Sequence, residues 1–307
     1  MGRRYDTISF LSDLGVVDEH VGVVKAIVRD LAPHVQVIDL THQIGAGDVR
    51  AGSLALARCM SYVPSGVVLA VVDAGVGAGV GAGVGAGVGA GVGQRPGVAI
   101  EVAGGEGVVI GPDNGLLASA VAMAGGAGRA VVLDKPEHHL ASPGAVLPSR
   151  DVFATVAAHL CNGVDLAEVG TLVDADTLLP GVIPLPRDGD DGSVHAEVLW
   201  VDRVGNCQLN VGPDDIAPWG SAEGARVQVA TTDTTRVAER VARPGTLGAG
   251  AVGLLVDAYG MLSVVLDHRS AADELSVAAG DLVRLTPLAE GDRGPGTPVP
   301  VALRTPR

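Results

Sequence analysis

The strongest constraint on the fold is the regular alternation of short β-branched runs with helical stripes. "TISFLSD" is apolar and ends in polar residues, which reads as a strand. "EHVGVVKAIVRDLAP" follows, with Val21, Val24, Ile27, Val28 and Leu31 on one helical stripe and Pro33 as its stop. "VQVIDLT" is a second strand. "GDVRAGSLALARCMSYVP" is a second helix with Asp48 as its N-cap, and "GVVLAVVD" is a third strand. Strands that alternate with helices predict an α/β layer built on a mostly parallel sheet with flanking helices. Ligands of such sheets bind beyond the carboxyl ends of the strands. Asp13, Asp39 and Asp73 stand at such ends.

The third strand runs into a tract of five Ala-Gly-Val-Gly copies, residues 74–93. Fold-building repeats have units of roughly 20–50 residues, so four-residue units build none. Half of the tract is glycine, which loses the most entropy on ordering. The tract therefore reads as a low-complexity loop inserted between "VVLAVVD" and a further strand, "GVAIEV". A later helix, "SRDVFATVAAHLCNG", closes a first domain, residues 1–182. "LLPGVIPLPRDGDDGS" reads as a linker. Beyond it "VHAEVLWVDRVGNCQLNV", "ARVQVA", "AVGLLVDAYGMLSVVLD" and "GDLVRLTPL" are strands with no convincing helix. That predicts a smaller all-β, barrel-like domain over residues 190–290, followed by a flexible tail, 291–307.

Composition excludes several classes of function. The formal net charge of −14 opposes a nucleic-acid surface, which needs basic patches, but suits a small cationic ligand. Cys59, Cys161 and Cys207 have no paired spacing and read as small buried hydrophobes of a reducing cytoplasm, with no metal. "MGRRYDTISF" lacks the apolar run of a secretory leader. No long apolar stretch is free of glycine interruptions, so no membrane span is expected.

Three polar clusters carry the candidate chemistry. In "SDLGVVDEHVG", Asp13 and Asp18 lie between a strand and a helix, where carboxylates can hold ribose hydroxyls or an ammonium group. Taken alone, Asp18 reads better as a helix cap. "VIGPDNGLL" is a strong turn signal. "VDRVGNCQLNV" places Asp202 and Asn206 at a bend. Asn can pair with an adenine edge by donating and accepting together, although Gly205-Asn206 is also a common hairpin turn.

In this order, these motifs resemble the S-adenosylmethionine hydroxide adenosyltransferases. The matching stretches are "ISFLSDLGVVDEHVGVVKAIV", "VIDLTHQIGAGDVRAGSLALA", "VVDAGVG", "GPDNGLL", "SRDVFATVAAHLCNGVDLAEVG" and "VDRVGNCQLNV". That family is related to the fluorinase and chlorinase that use the same substrate. The resemblance spans about residues 7–285. It implies an N-terminal α/β domain, a C-terminal β-barrel-like domain and a homotrimer with active sites between subunits. It also implies hydrolysis of S-adenosylmethionine at the ribose 5′ carbon to adenosine and methionine, with no cofactor. Residue by residue, it implies that Asp13 holds the ribose diol, that Asp18 lies near the methionine end, and that Asp202 meets the methionine amine. Asn206 would read adenine and Asp73 would handle water. The halogenases carry tyrosine at Asp73, which disfavours a halogenase.

The chain also departs from the family's pattern. The family's "TFHGRD" is "VLPSRD" here, so Pro148 stands where a histidine is expected and Ser149 replaces glycine, as in the fluorinase. His138 and His139 lie upstream and read most simply as exposed loop residues. The family proline after Asp73 is Ala74, and anchoring on "VAI" puts Arg95 at the catalytic arginine, beyond the expanded tract. Asp257 and Ala258 replace an Asn-Ser pair. These departures keep a second reading open, a member that binds S-adenosylmethionine or adenosine without turnover.

Overall fold

The structure is a computed structural model and describes residues 2–73, 96–144, 146–181, 183–219 and 223–289. The Ala-Gly-Val-Gly tract, Arg95 and the C-terminal tail lie outside the described residues. The chain divides into two compact units, Met1–Val182 and Ile183–Arg307.

The first unit is a three-layer α/β sandwich. Its strands are β1 (Thr7–Ser12), β2 (Gln36–Thr41), β3 (Val67–Val71), β4 (Gly97–Val102), β5 (Gly107–Pro112), β6 (Ala130–Val132) and β7 (Thr171–Val173). They lie in the order β2-β1-β3-β5-β4-β6-β7. The β2-β1-β3-β5 half is parallel, as the alternating pattern predicts. The other half is antiparallel because β4 and β5 form a hairpin, with Val102 opposite Gly107. A hairpin needs only a short connection, whereas a parallel step needs a crossover.

Side chains alternate between the two sheet faces with the period of two that a strand imposes. Ile8, Phe10, Val67, Leu69 and Val71 pack with Val24 and Val28 of α1 (His20–Leu31). Helix α4 (Ala154–Cys161) lies on the same face. Leu11, Val68, Ala70 and Val72 pack on the other face, with Leu56 of α2 (Val49–Met60) and Ala120 of α3 (Ala118–Met123). The Asp48 side chain accepts from Ala51 N–H at 2.9 Å, the cap expected for α2. Gly52 lets α2 come close to the end of β3. A Cβ there would lie 2.9 Å from Leu116 Cδ1 and 3.0 Å from Val72 Cγ2. A single turn, α5 (Leu166–Val169), follows α4 and is closed by a capping box between Asp165 and Glu168.

The second unit is a barrel. Its strands are β8 (Arg187–Asp188), β9 (Val194–Val201), β10 (Cys207–Leu209), β11 (Arg226–Ala230), β12 (Thr235–Arg240), β13 (Val252–Val256), β14 (Leu262–Leu266) and β15 (Leu282–Pro287). The order β10-β14-β13-β12-β11-β15-β9 closes on itself through β9–β10 pairing, and β8 adds a short edge to β9. Closure leaves the ring no free edge. One short helix, α6 (Ala271–Leu275), buries Ala271, Ala272 and Leu275, an element the strand-only reading of this half lacked. Cys161 and Cys207 are fully buried, and burial pushes each thiol up to about 12. Among the described residues, no helix is long and apolar enough to cross a membrane.

Candidate active site

The parallel half of the sheet presents a carboxylate cluster at its carboxyl edge. β1 ends at Ser12, so Asp13 is the first residue beyond it, and its N–H donates to Val71 O at 3.2 Å. Asp13 Oδ2 accepts from Gly47 N–H at 2.9 Å and from Asp73 N–H at 3.1 Å. Oδ1 has no hydrogen-bond partner among the described residues. Gly47 is suited to this clasp because its φ of 71° falls in the left-handed region, which glycine enters without strain. A Cβ on Gly47 would sit 3.9 Å from Asp73 Oδ1, so Gly47 also lies against the Asp73 side chain.

Asp73 is exposed and has a φ of 51°. Aspartate tolerates that region better than most residues, and such conformations concentrate at functional sites. The turn "PDNG" holds this end of β3 in place. Asn114 Nδ2 donates to Val72 O at 2.9 Å, while Asp113 Oδ1 accepts from Leu179 N–H at 2.7 Å. The sequence showed these two residues only as a turn, because their partners are far along the chain.

Asp18 is exposed on the β1–α1 loop and does not cap α1, whose N-cap position is Glu19 without a side-chain bond. The capping role considered for Asp18 is thus not formed.

Pro148 is buried and opens a π-helical turn, Ser149–Phe153, that leads into α4. π-Turns within helices occur frequently at functional sites. Asp151, 1% exposed, accepts from Leu147 N–H at 2.7 Å and pairs with Arg150. Ser149 Oγ is buried with no hydrogen-bond partner among the described residues. His138 and His139 are corrected from exposed to half-buried. Their segment folds against α4, with Leu140 N–H donating to Asp151 O at 2.8 Å and the His138 ring 5.0 Å edge-on from His159. Burial, and then the charge of His138, lowers the His139 imidazole below its usual value.

In the second unit, Asp202 and Asn206 do come together, at the β9–β10 turn. Asp202 Oδ1 accepts from the backbone N–H groups of Val204 and Asn206, both at 2.9 Å, and Oδ2 accepts from Asn206 Nδ2 at 2.8 Å. Gly205 has a φ of 88°, and its carbonyl accepts from Ala272 N–H of α6 at 3.0 Å. The hairpin-turn reading is therefore correct locally. It leaves the Asn206 Oδ1 and its second amide hydrogen outside that network. Asp257 is taken up by its own turn. It accepts from Tyr259 and Met261 N–H groups, from Gln208 Nε2 at 2.7 Å and from Ser263 Oγ at 2.9 Å. Among the described residues, no group of three or more His, Cys, Asp or Glu is placed to hold a metal ion.

Comparison with known proteins identifies the family. The model for the SAM hydroxide adenosyltransferase N-terminal domain matches residues 8–84 and 80–170, and that for the C-terminal domain matches residues 196–284. A protein of Salinispora tropica named (R)-S-adenosyl-L-methionine hydrolase is 37% identical over 284 residues, covering 91% of this chain and 97% of its own. A fluorinase of Nocardia brasiliensis is 26% identical over 295 residues, covering 92% and 97%. Among solved structures, a conserved hypothetical protein from Thermus thermophilus is 31% identical with a TM-score of 0.66, covering 91% of this chain and 99% of its own. An uncharacterized conserved protein from Thermotoga maritima superposes with a TM-score of 0.77 at 27% identity, with the same coverage. The chain belongs to the SAM hydroxide adenosyltransferase family.

Proposed function

We infer that the protein hydrolyses S-adenosylmethionine at the ribose 5′ carbon, releasing adenosine and L-methionine. The observation that carries this reading is the carboxylate pair at the ends of β1 and β3. Asp13 is held by two backbone N–H groups, one of them that of Asp73, and its other oxygen has no hydrogen-bond partner among the described residues. Relatives 37% and 38% identical over 91% of the chain carry the hydrolase name, which supports the same assignment.

The chemistry suits such a site. The oxygen of water attacks C5′ on the side opposite sulfur. The C5′–O bond forms as the C5′–S bond breaks, and its electron pair stays on sulfur, so a cationic sulfonium leaves as a neutral thioether. The proton of the attacking water passes to the Asp73 carboxylate or to solvent. A neutral leaving group needs no general acid, so the protein's task is to orient water in line and strip its hydration. On this reading Asp13 accepts from the ribose hydroxyls, and Asp73, assisted by Arg95, orients the water. Asp18 and Asp202 face the methionine moiety, and Asn206 pairs with the adenine edge. The substrate is cationic, which the net charge of −14 favours and which a nucleic-acid partner would not. The same reading includes a homotrimer in the cytoplasm and no cofactor.

Pro148 favours a second reading. A proline at the family's histidine position cannot give or take a proton, and an impaired member would bind the substrate without cleaving it. Chromatography of S-adenosylmethionine incubated with the protein separates the two. Adenosine formed in proportion to enzyme supports hydrolysis. Calorimetric binding with no adenosine would establish the binder instead.

A further inference from the structure

Next to Asp13 runs a polar chain, buried at Ser12 and His42 and exposed at Asp39, that the reading above does not use. Ser12 is 0% exposed and His42 5% exposed. Ser12 Oγ lies 2.8 Å from His42 Nδ1, and His42 Nε2 lies 3.2 Å from Asp39 Oδ1. The other Asp39 oxygen accepts from Lys25 Nζ at 2.9 Å. The imidazole is also tilted against Phe10, with ring centroids 4.6 Å apart.

Serine, histidine and aspartate in a row look like a nucleophilic triad, but the geometry excludes that role. The Ser12 hydroxyl has no exposed surface and points into the molecule toward the ring, so no substrate carbonyl can reach it. The chain instead reads as a brace. Burial raises the Asp39 carboxyl, but the Lys25 hydrogen bond and the nearby His42 imidazole outweigh it and hold the group below its usual range. An ionised Asp39 draws the imidazole proton to Nε2, although that nitrogen makes no aligned hydrogen bond among the described residues. Nδ1 is then the acceptor and Ser12 Oγ–H the donor. Ser12 Oγ in turn accepts from Leu14 N–H at 3.4 Å. The backbone of His42 grips the other side of the same loop, its carbonyl accepting from Gly15 N–H at 2.8 Å. One residue thus holds the chain both before and after Asp13.

We propose that His42 is a positioning residue for Asp13, acting through Ser12 to aim the open carboxylate oxygen at the substrate. The proposal rests on the reading that Asp13 contacts the ribose. If the brace is lost, the end of β1 can turn and Asp13 keeps its charge but not its aim. The effect should appear as weaker substrate binding rather than as a lost chemical group.

The test is a double-mutant cycle. Binding of S-adenosylmethionine is measured by calorimetry, with thermal denaturation alongside, for Ser12→Ala, His42→Leu, His42→Asn, Asp13→Asn and the pair His42→Leu/Asp13→Asn. Ser12→Ala is the milder variant should His42→Leu fold poorly. Asp13→Asn and His42→Leu should each weaken binding about tenfold, the scale of one lost hydrogen bond to a charged group. In the Asp13→Asn background, His42→Leu should add no further loss. His42→Asn should retain most of the affinity, because its amide oxygen can accept from Ser12 where Nδ1 did. Additive losses, or a fall in melting temperature with unchanged affinity, would overturn the proposal. If Asp13→Asn weakens binding while the Ser12 and His42 variants bind as the parent does, the brace alone is wrong. If Asp13→Asn binds normally, the ribose reading fails, and the brace falls with it.

Discussion

Asp73 combines an exposed carboxylate with a left-handed backbone, and its own N–H serves a second carboxylate, Asp13. Asn occupies that backbone region as readily as Asp, so Asp73→Asn should fold normally. It should lower the rate of adenosine release by roughly 10²-fold or more, because it removes a group that interacts with water more strongly in the transition state. Affinity for substrate should stay within a few-fold, which calorimetry checks; equal losses of binding and rate would make Asp73 a substrate contact. Asn206 does two things at once. Its Nδ2 braces Asp202 at 2.8 Å, and its remaining groups are the proposed adenine contacts. Asn206→Ala should therefore weaken binding by about 1–3 kcal/mol and cost about 1 kcal/mol of stability, read separately by calorimetry and by urea denaturation.

At the scale of elements, one ion network ties β4 to the turn before β6 and to α5. Arg129 makes two hydrogen bonds to Glu101, at 2.7 and 2.8 Å, and two to Asp165, at 3.0 and 3.1 Å. Arg4 adds a third to Glu101 at 3.2 Å. The Arg129 hydrogen bonds hold the Glu101 carboxyl below its usual range against the opposing effect of burial. A depressed folded-state value means the stabilisation is complete above the ordinary carboxylate range. It is lost as pH falls through the folded-state value. Glu101→Gln should cost about 1–3 kcal/mol at neutral pH and make stability less dependent on pH on the acid side, measured by denaturant titration across that range. Gly52 sets the α2–β3 spacing. Alanine there would add up to about 1 kcal/mol of helix propensity. Its Cβ would meet Leu116 and Val72 at 2.9 and 3.0 Å, and both are fully buried. Overpacking costs typically about 1–3 kcal/mol, so packing wins and Gly52→Ala should lower the melting temperature. It should also lower activity, because Val72 directly precedes Asp73.

At the scale of the whole molecule, a layered α/β unit and a closed barrel each have their own core. The Ala-Gly-Val-Gly tract lies outside the described residues. Removing four of its five copies deletes sixteen residues from one connection. Closure entropy grows only with the logarithm of length, so the change should alter stability by less than about 1 kcal/mol. Thermal denaturation of the shortened chain checks this. A large fall in melting temperature would mean that the tract packs on the fold.

What the sequence determined by itself is local. Periods of two and of 3.6 residues identified β1, β2, β3, α1 and α2, and Asp48 announced its own cap. Turn chemistry marked "PDNG" and Gly205-Asn206, and the ordered motifs pointed to the family. These signals lie within a few residues of the atoms they control, so no partner from elsewhere in the chain is needed to interpret them. The tertiary structure alone decided the rest. It made β4–β7 antiparallel and closed the barrel through β9–β10. It folded the His138–His139 segment onto α4 and left Asp18 exposed without capping α1. It gave Asn114 the carbonyl of Val72, joined Asp13 to Gly47 and Asp73, and seated Ser12 against His42, thirty residues away. Each of these depends on which distant groups packing brings within hydrogen-bond reach, and nothing in the local sequence encodes that choice.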